Sequence, residues 1–127
     1  YLVKYQLTFK YERYYMSKLL LGKLIRKLRK QKGLSLRQLA EEVSVSFVNI
    51  AHIEKGRVET SEKVIKEIAK ALDYDVDKLL ARADSINDDV KNIIKKLPNA
   101  VPDFLRTAKN LTEQEWKDLT EQIKNKK

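Results

Sequence analysis

The sequence predicts an all-α protein: five short helices over residues 17 to 83 and a C-terminal helical appendage over 86 to 127, with room for a short β-arm at the N-terminus. Three observations carry that prediction. Apolar residues recur at helical spacing, as in Val64, Ile65, Ile68, Ala69 and Leu72. A serine, threonine or aspartate stands in front of most of these runs, where a helix needs its first amides satisfied. The connections are only a few residues long, as in compact helical packing. At 127 residues the chain has the length of one domain, or of one small domain with an appendage.

Residues 1 to 15, YLVKYQLTFKYERYY, alternate Val3, Tyr5, Leu7, Phe9 and Tyr11 with Lys4, Gln6, Thr8 and Lys10. A period of two with many aromatics is a strand signature. Such a strand needs a partner edge, most easily its copy in a dimer. The single methionine, Met16, directly precedes Ser17. The arm before it therefore reads either as part of the fold or as upstream sequence foreign to it.

Ser17 is the expected N-cap of a first helix that ends near Lys32, with Gly33 just beyond its C-terminus. Ser35 and Gln38 form a capping box for a second helix, SLRQLAEEV. Ser46 caps a third that stops at Gly56. Thr60 or Ser61 caps the fourth, and Asp75 the fifth, whose Val76, Leu79 and Leu80 face inward. In the appendage, Ile86, Val90, Ile93, Ile94 and Leu97 share one face, and Pro98 and Pro102 break the chain. A short helix follows through Phe104, Leu105 and Ala108. Thr112 with Glu115 opens a last helix carrying Trp116, Leu119 and Ile123. Three amphipathic pieces this short must pack on the first domain, on one another or on a second subunit.

Composition excludes several chemistries. There is no cysteine, so disulfides, cysteine-ligated zinc and thiol catalysis are absent. One histidine, His52, cannot build a histidine-rich metal site and by itself reads as an ordinary polar surface residue. No nucleophile–base pair, metal-ligand cluster or glycine-rich phosphate loop is visible, so no enzyme, cofactor or metal is expected. Asp73, Asp75 and Asp77 suit a helix cap better than a calcium loop, which needs more length and a glycine. No apolar run approaches the ~20 residues needed to span a bilayer, and no secretory signal is apparent, so a cytoplasmic protein is expected. The net charge of +9 is concentrated at one end: residues 1 to 40 hold eleven Lys or Arg and one acid, Glu12. That asymmetry suits a polyanion, either nucleic acid or an anionic membrane surface, or a solvated basic helix. The membrane option fails because Leu21, Ile25 and Leu28 are needed by the core.

The segment from Leu36 to Lys55 fits a helix-turn-helix, with Ala40 as the small residue where the two helices approach. Leu39, Val43, Val45, Ile50 and Ile53 point to a shared core. Spacing alone leaves open a second reading, two amphipathic helices in some other helical protein. Beyond spacing, LGKLIRKLRKQKGLSLRQLAEEVSVSFVNIAHIEKG resembles the phage-repressor and Cro-like (XRE-type) family, whose first helices read lGxxIRxLRxxxGLSxxxLA. VIKEIAKALDYDVDKLL is similar to that family's fourth and fifth helices. The resemblance covers residues 19 to 83 without a gap and implies a five-helix, lambda-repressor-like DNA-binding domain.

What the resemblance implies for individual residues is specific. Arg29 and Glu54 correspond to the family's buried ion pair. Phe47, Val48, Asn49 and His52 stand where relatives read base edges: Phe47 and Val48 suit thymine methyl groups, Asn49 an adenine edge or a phosphate, and His52 a guanine. In the competing reading, Phe47 is core and the helix is slightly rotated. Ser35, Leu36, Arg37, Ser46, Lys55, Arg57 and Ser61 are placed for phosphates, the helix-opening amides included. Three positions depart from the family. Leu36 replaces a phosphate-contacting glutamine, and Glu59 puts an acid in a loop that some relatives make basic. Ser44 occupies a turn position usually given to glycine, where a left-handed backbone would be strained by ~1–2 kcal/mol.

The expected function is a sequence-specific double-stranded DNA-binding transcriptional regulator, a dimeric repressor reading a palindromic operator through residues 46 to 55. Two copies would read half-sites ~34 Å apart. Residues 86 to 127 are the candidate dimer contact or signal input, more weakly resembling tails on which an anti-repressor or protease acts. The rival is an antitoxin, or another interaction module, that masks a toxin partner through those helices.

Overall fold

The computed structural model describes the backbone of residues 2 to 126 and the side chains of residues 10 to 126. All regular elements among them are helices: α1 (Leu2–Gln31), α2 (Leu36–Ala40), α3 (Phe47–Glu54), α4 (Glu62–Ala71), α5 (Val76–Arg82), α6 (Asp88–Lys96), α7 (Ala100–Thr107) and α8 (Glu113–Lys124). They form two compact units, divided between Asn87 and Asp88.

The N-terminal β-arm is replaced by helix. From Leu2 onward, the stretch that alternates like a strand is the first half of α1. Ser17 accordingly caps nothing, and its hydroxyl donates to the Arg82 carbonyl at 3.1 Å. The physical reason is cooperativity. Once the turns from Ser17 to Gln31 exist, each preceding residue adds a hydrogen bond without a new nucleus. A lone strand would leave every backbone group unpaired. Lys, Gln, Leu, Glu and Arg are also good helix formers.

The core of the first unit draws on all five of its helices: Leu21 and Ile25 from α1, Leu39 from α2, Ile50 and Ile53 from α3, Val64, Ile65, Ile68 and Ala69 from α4, and Leu79 and Leu80 from α5. Leu72, just past α4, completes it. Gly22 sets how closely α1 can cross the end of α3. A methyl group there would collide with the Ile53 carbonyl and stand 2.6 Å from the Glu54 carbonyl oxygen. Gly33 ends α1 in the left-handed region (φ +69°), and the Leu34 amide reaches back to the Arg29 carbonyl at 3.1 Å.

Serines and an aspartate fix the starts of the shorter helices. Ser35 and Gln38 make a reciprocal capping box, with bonds of 3.1 and 2.8 Å. Ser46 accepts from the Asn49 amide at 3.2 Å, Ser61 from Val64 at 3.3 Å, and Asp75 from Lys78 at 2.9 Å. Helix α2 is shorter than its sequence pattern suggests. It closes at Ala40, where the Glu42 and Val43 amides fold back on the Leu39 and Ala40 carbonyls. In the second unit, Thr112 and Glu115 form another capping box, and Phe104 meets Trp116 edge to face at 5.8 Å. Pro102 does not break the chain. It sits in the first turn of α7, where an amide has no intrahelical partner to lose.

Candidate nucleic-acid interface

The candidate interface is built on α2, the turn after it, and α3. Three braces hold this segment. The deepest is the ion pair between Arg29 and Glu54, both buried. The Arg29 Nε donates to Glu54 Oε2 and Nη2 donates to Oε1, each at 2.8 Å. Its remaining nitrogen, Nη1, donates to the Leu34 carbonyl at 2.8 Å. One guanidinium thus ties the end of α1, the loop before α2 and the last turn of α3. The hydrogen bonds to Glu54 raise the Arg29 pKa above its ordinary value, against a smaller opposing effect of desolvation. No buried side-chain polar atom is left unsatisfied among the described residues.

The second brace is at the turn. The Ser44 amide donates to Glu67 Oε2 at 2.7 Å and its hydroxyl to Oε1 at 3.0 Å, which fastens the turn to α4. Those bonds, the amide's foremost, hold the Glu67 carboxyl below the usual carboxylate range, with the charge of Lys63 adding to the effect. Ser44 carries none of the left-handed strain considered for it. Among the described residues, only Asp73 and Asp84 adopt positive φ without being glycine. The third brace joins the two helices at their exposed ends, where the Arg37 guanidinium lies over the Phe47 ring, 4.5 Å from its centroid. This contact stands one residue beyond Leu36, which is half-buried against the core and offers no polar side chain.

With Ile50 and Ile53 turned inward, α3 presents its other side outward. Phe47 and Val48 are exposed, at 37% and 50%, so Phe47 is not core. Asn49 and His52 are half-buried on the same helix. Arg37, Lys55 and Arg57 are exposed around it. Ser35, Ser46 and Ser61 are also exposed, each with its hydroxyl engaged in a helix cap. Ser61 opens α4 and lies outside the two-helix segment. Glu59 accepts a 3.1 Å hydrogen bond from the Tyr14 hydroxyl, and Lys18 covers the Tyr14 ring at 4.2 Å. The acid in this loop therefore faces α1 and its lysine.

Sequence reasoning missed the Glu67 brace and the Arg37–Phe47 contact. Each joins residues on different elements with no periodicity between them, so only the turn geometry reveals the partners. It also did not foresee Tyr14 and Arg13 as contacts of the first unit. Arg13 lies 3.7 Å from Asp84.

A buried two-helix frame with one helix's outer row left open is the architecture of a helix-turn-helix DNA-binding domain. Residues 25–79 match the Helix-turn-helix family, and the chain belongs to that family, in its XRE-type branch. This makes it a DNA-binding transcriptional regulator and not an enzyme. Among solved structures, it is similar to the clp gene regulator ClgR from C. glutamicum, at 34% identity over 53% of this chain and 87% of that one, with a TM-score of 0.48. It is also similar to the restriction-modification controller protein C.AhdI from Aeromonas hydrophila, at 30% identity over 52% and 96%, with a TM-score of 0.49. No curated protein matches the chain. No helix among the described residues is long and apolar enough to cross a membrane.

Proposed function

We propose that the protein is a dimeric, sequence-specific repressor that reads a palindromic operator by laying α3 in the major groove. The observation that carries this reading is the open row of α3: two exposed apolar residues, Phe47 and Val48, beside the half-buried polar Asn49 and His52. Apolar groups facing water on a helix this well braced have a use in the major groove, where thymine presents a methyl group. Asn49 and His52 offer hydrogen bonds to neighbouring base edges. Lys55 and Arg57 flank the row as phosphate ligands, with the helix-opening backbone at Ser35, Leu36, Ser46 and Ser61 supporting them.

Self-association belongs to residues 86 to 127 in this reading. The second unit keeps Ile93, Leu97, Phe104, Leu105 and Ile123 exposed, and among its described residues only Ala108 is a buried hydrophobic one. So much apolar surface on so short a unit suits a helix–helix contact between copies. The regulator acts in the cytoplasm, and the same tail is where an anti-repressor or protease would act.

The test is selection of bound sites from random double-stranded DNA, repeated at several salt concentrations. Inverted half-sites with centres ~34 Å apart are expected. Binding that falls steeply with salt and enriches no sequence would overturn the proposal, because phosphate contacts alone behave that way.

A further inference from the structure

The contact between Arg37 and Phe47 carries a more specific conclusion, which rests on the reading of α3 as the base-reading helix. We infer that the two residues form one specificity element. Phe47 is a positioning residue that holds the Arg37 guanidinium at the N-terminal end of α3, and Arg37 recognises a guanine of the operator.

Placement is the first argument. Arg37 belongs to α2, yet its guanidinium lies over the ring of the residue that opens α3. The N-terminal residues of the second helix are the ones that meet base edges in this architecture. An arginine anchored there is delivered to the bases rather than to the flanking backbone.

The second argument is unused bonding capacity. Arg37 is exposed, and among the described residues its guanidinium has no hydrogen-bonded or ion-paired protein partner. The aromatic ring takes up one side of the group while leaving its N–H donors for an acceptor outside the protein. A cation over an aromatic ring is held more strongly as water leaves, so docking would tighten the arrangement. Guanine supplies the matching acceptors, O6 and N7, which a guanidinium binds in bidentate fashion. Leu36 contributes through its apolarity. Its side chain packs against the core, so the polar reach of the first turn of α2 falls to Arg37.

Thymine recognition then shifts along the helix. With the Phe47 ring partly covered by Arg37, Val48 is the freer apolar group, at 50% exposure.

The experiment is site selection from random double-stranded DNA with the full chain and its Arg37→Ala, Arg37→Lys, Phe47→Leu and Phe47→Tyr variants, each checked by thermal melt. Both positions are exposed, so melts close to that of the parent are expected. The parent should enrich a guanine at one position of each half-site. Arg37→Ala should lose that preference, with roughly tenfold or greater weakening on the guanine site and little change on a site already altered there. Arg37→Lys keeps the charge but should not restore discrimination. Phe47→Leu should blunt the same guanine preference, and Phe47→Tyr should retain it. If Arg37→Ala weakens all sequences alike and lowers the salt slope by about one, Arg37 is a phosphate ligand and the inference fails. A Phe47→Leu protein with undiminished guanine preference removes the positioning role. Should the parent itself enrich no sequence, the repressor reading fails together with this inference. Enrichment of that same guanine in Arg37→Ala sinks the inference alone.

Discussion

At the scale of single residues, two contacts made by charged groups decide whether the interface is rigid. Arg29 spends its guanidinium on three bonds, so removing Glu54 would strand a buried cation and release the last turn of α3. Glu54→Ala is expected to destabilise the first unit by ~3–5 kcal/mol. A denaturant melt superimposable on that of the parent would disprove the role. Glu67 acts differently because it is only half-buried and its partners are the neutral groups of Ser44. Its pKa is lower in the folded state than in the unfolded one. The stability it contributes is therefore present above the unfolded carboxylate value, ~4.3, and is lost as pH falls through the folded value. Glu67→Gln should melt below the parent at neutral pH, and the two melting temperatures should converge at acid pH, once the carboxyl is protonated in the folded state too. A gap that persists unchanged at that pH would show that the charge has no part in the brace. The sequence reveals Arg29 and Glu54 only through a family resemblance. It is silent about Glu67, since a bond across 23 residues to a backbone amide leaves no pattern.

The close crossing of α1 and α3 is the most restrictive feature at the scale of elements. In an ordinary helix, replacing glycine by alanine stabilises by about 1 kcal/mol. Gly22 should reverse that sign, because the added methyl meets backbone of α3 that no rotamer change can move aside. Gly22→Ala is expected to destabilise by ~1–3 kcal/mol, read from urea unfolding. A gain in stability would mean that the helices do not cross this tightly. Most helix starts were legible, because a cap is a local event: Ser35, Ser46, Ser61, Asp75 and Thr112 each bond an amide three residues on. The start of α1 was not. Alternating aromatics imitate a strand, and only continuity with a helix already formed selects the other state.

Across the chain as a whole, basic charge and buried apolar residues are unevenly shared. Basic residues concentrate before residue 40, while the exposed Ile93, Leu97, Phe104, Leu105 and Ile123 belong to the second unit. A protein with residues 86 to 127 removed should keep its first-unit core and sediment as a monomer. It should also bind a two-half-site operator far more weakly, since linked half-sites reinforce one another. A truncated protein that still sediments as a dimer would move the self-association surface to the first unit.

What the sequence determined by itself is the helical class, the inward stripes of α1 to α5 and the outward row of α3. Hydrophobic period and capping residues are local properties, and they add up along the chain. Only the tertiary structure decided that residues 2 to 15 continue a helix, that Ser44 sits without strain on Glu67, and that Arg37 rests on Phe47. Each of these depends on which distant groups the packed core brings within bonding distance, and that follows from the three-dimensional arrangement of helices rather than from any spacing in the chain.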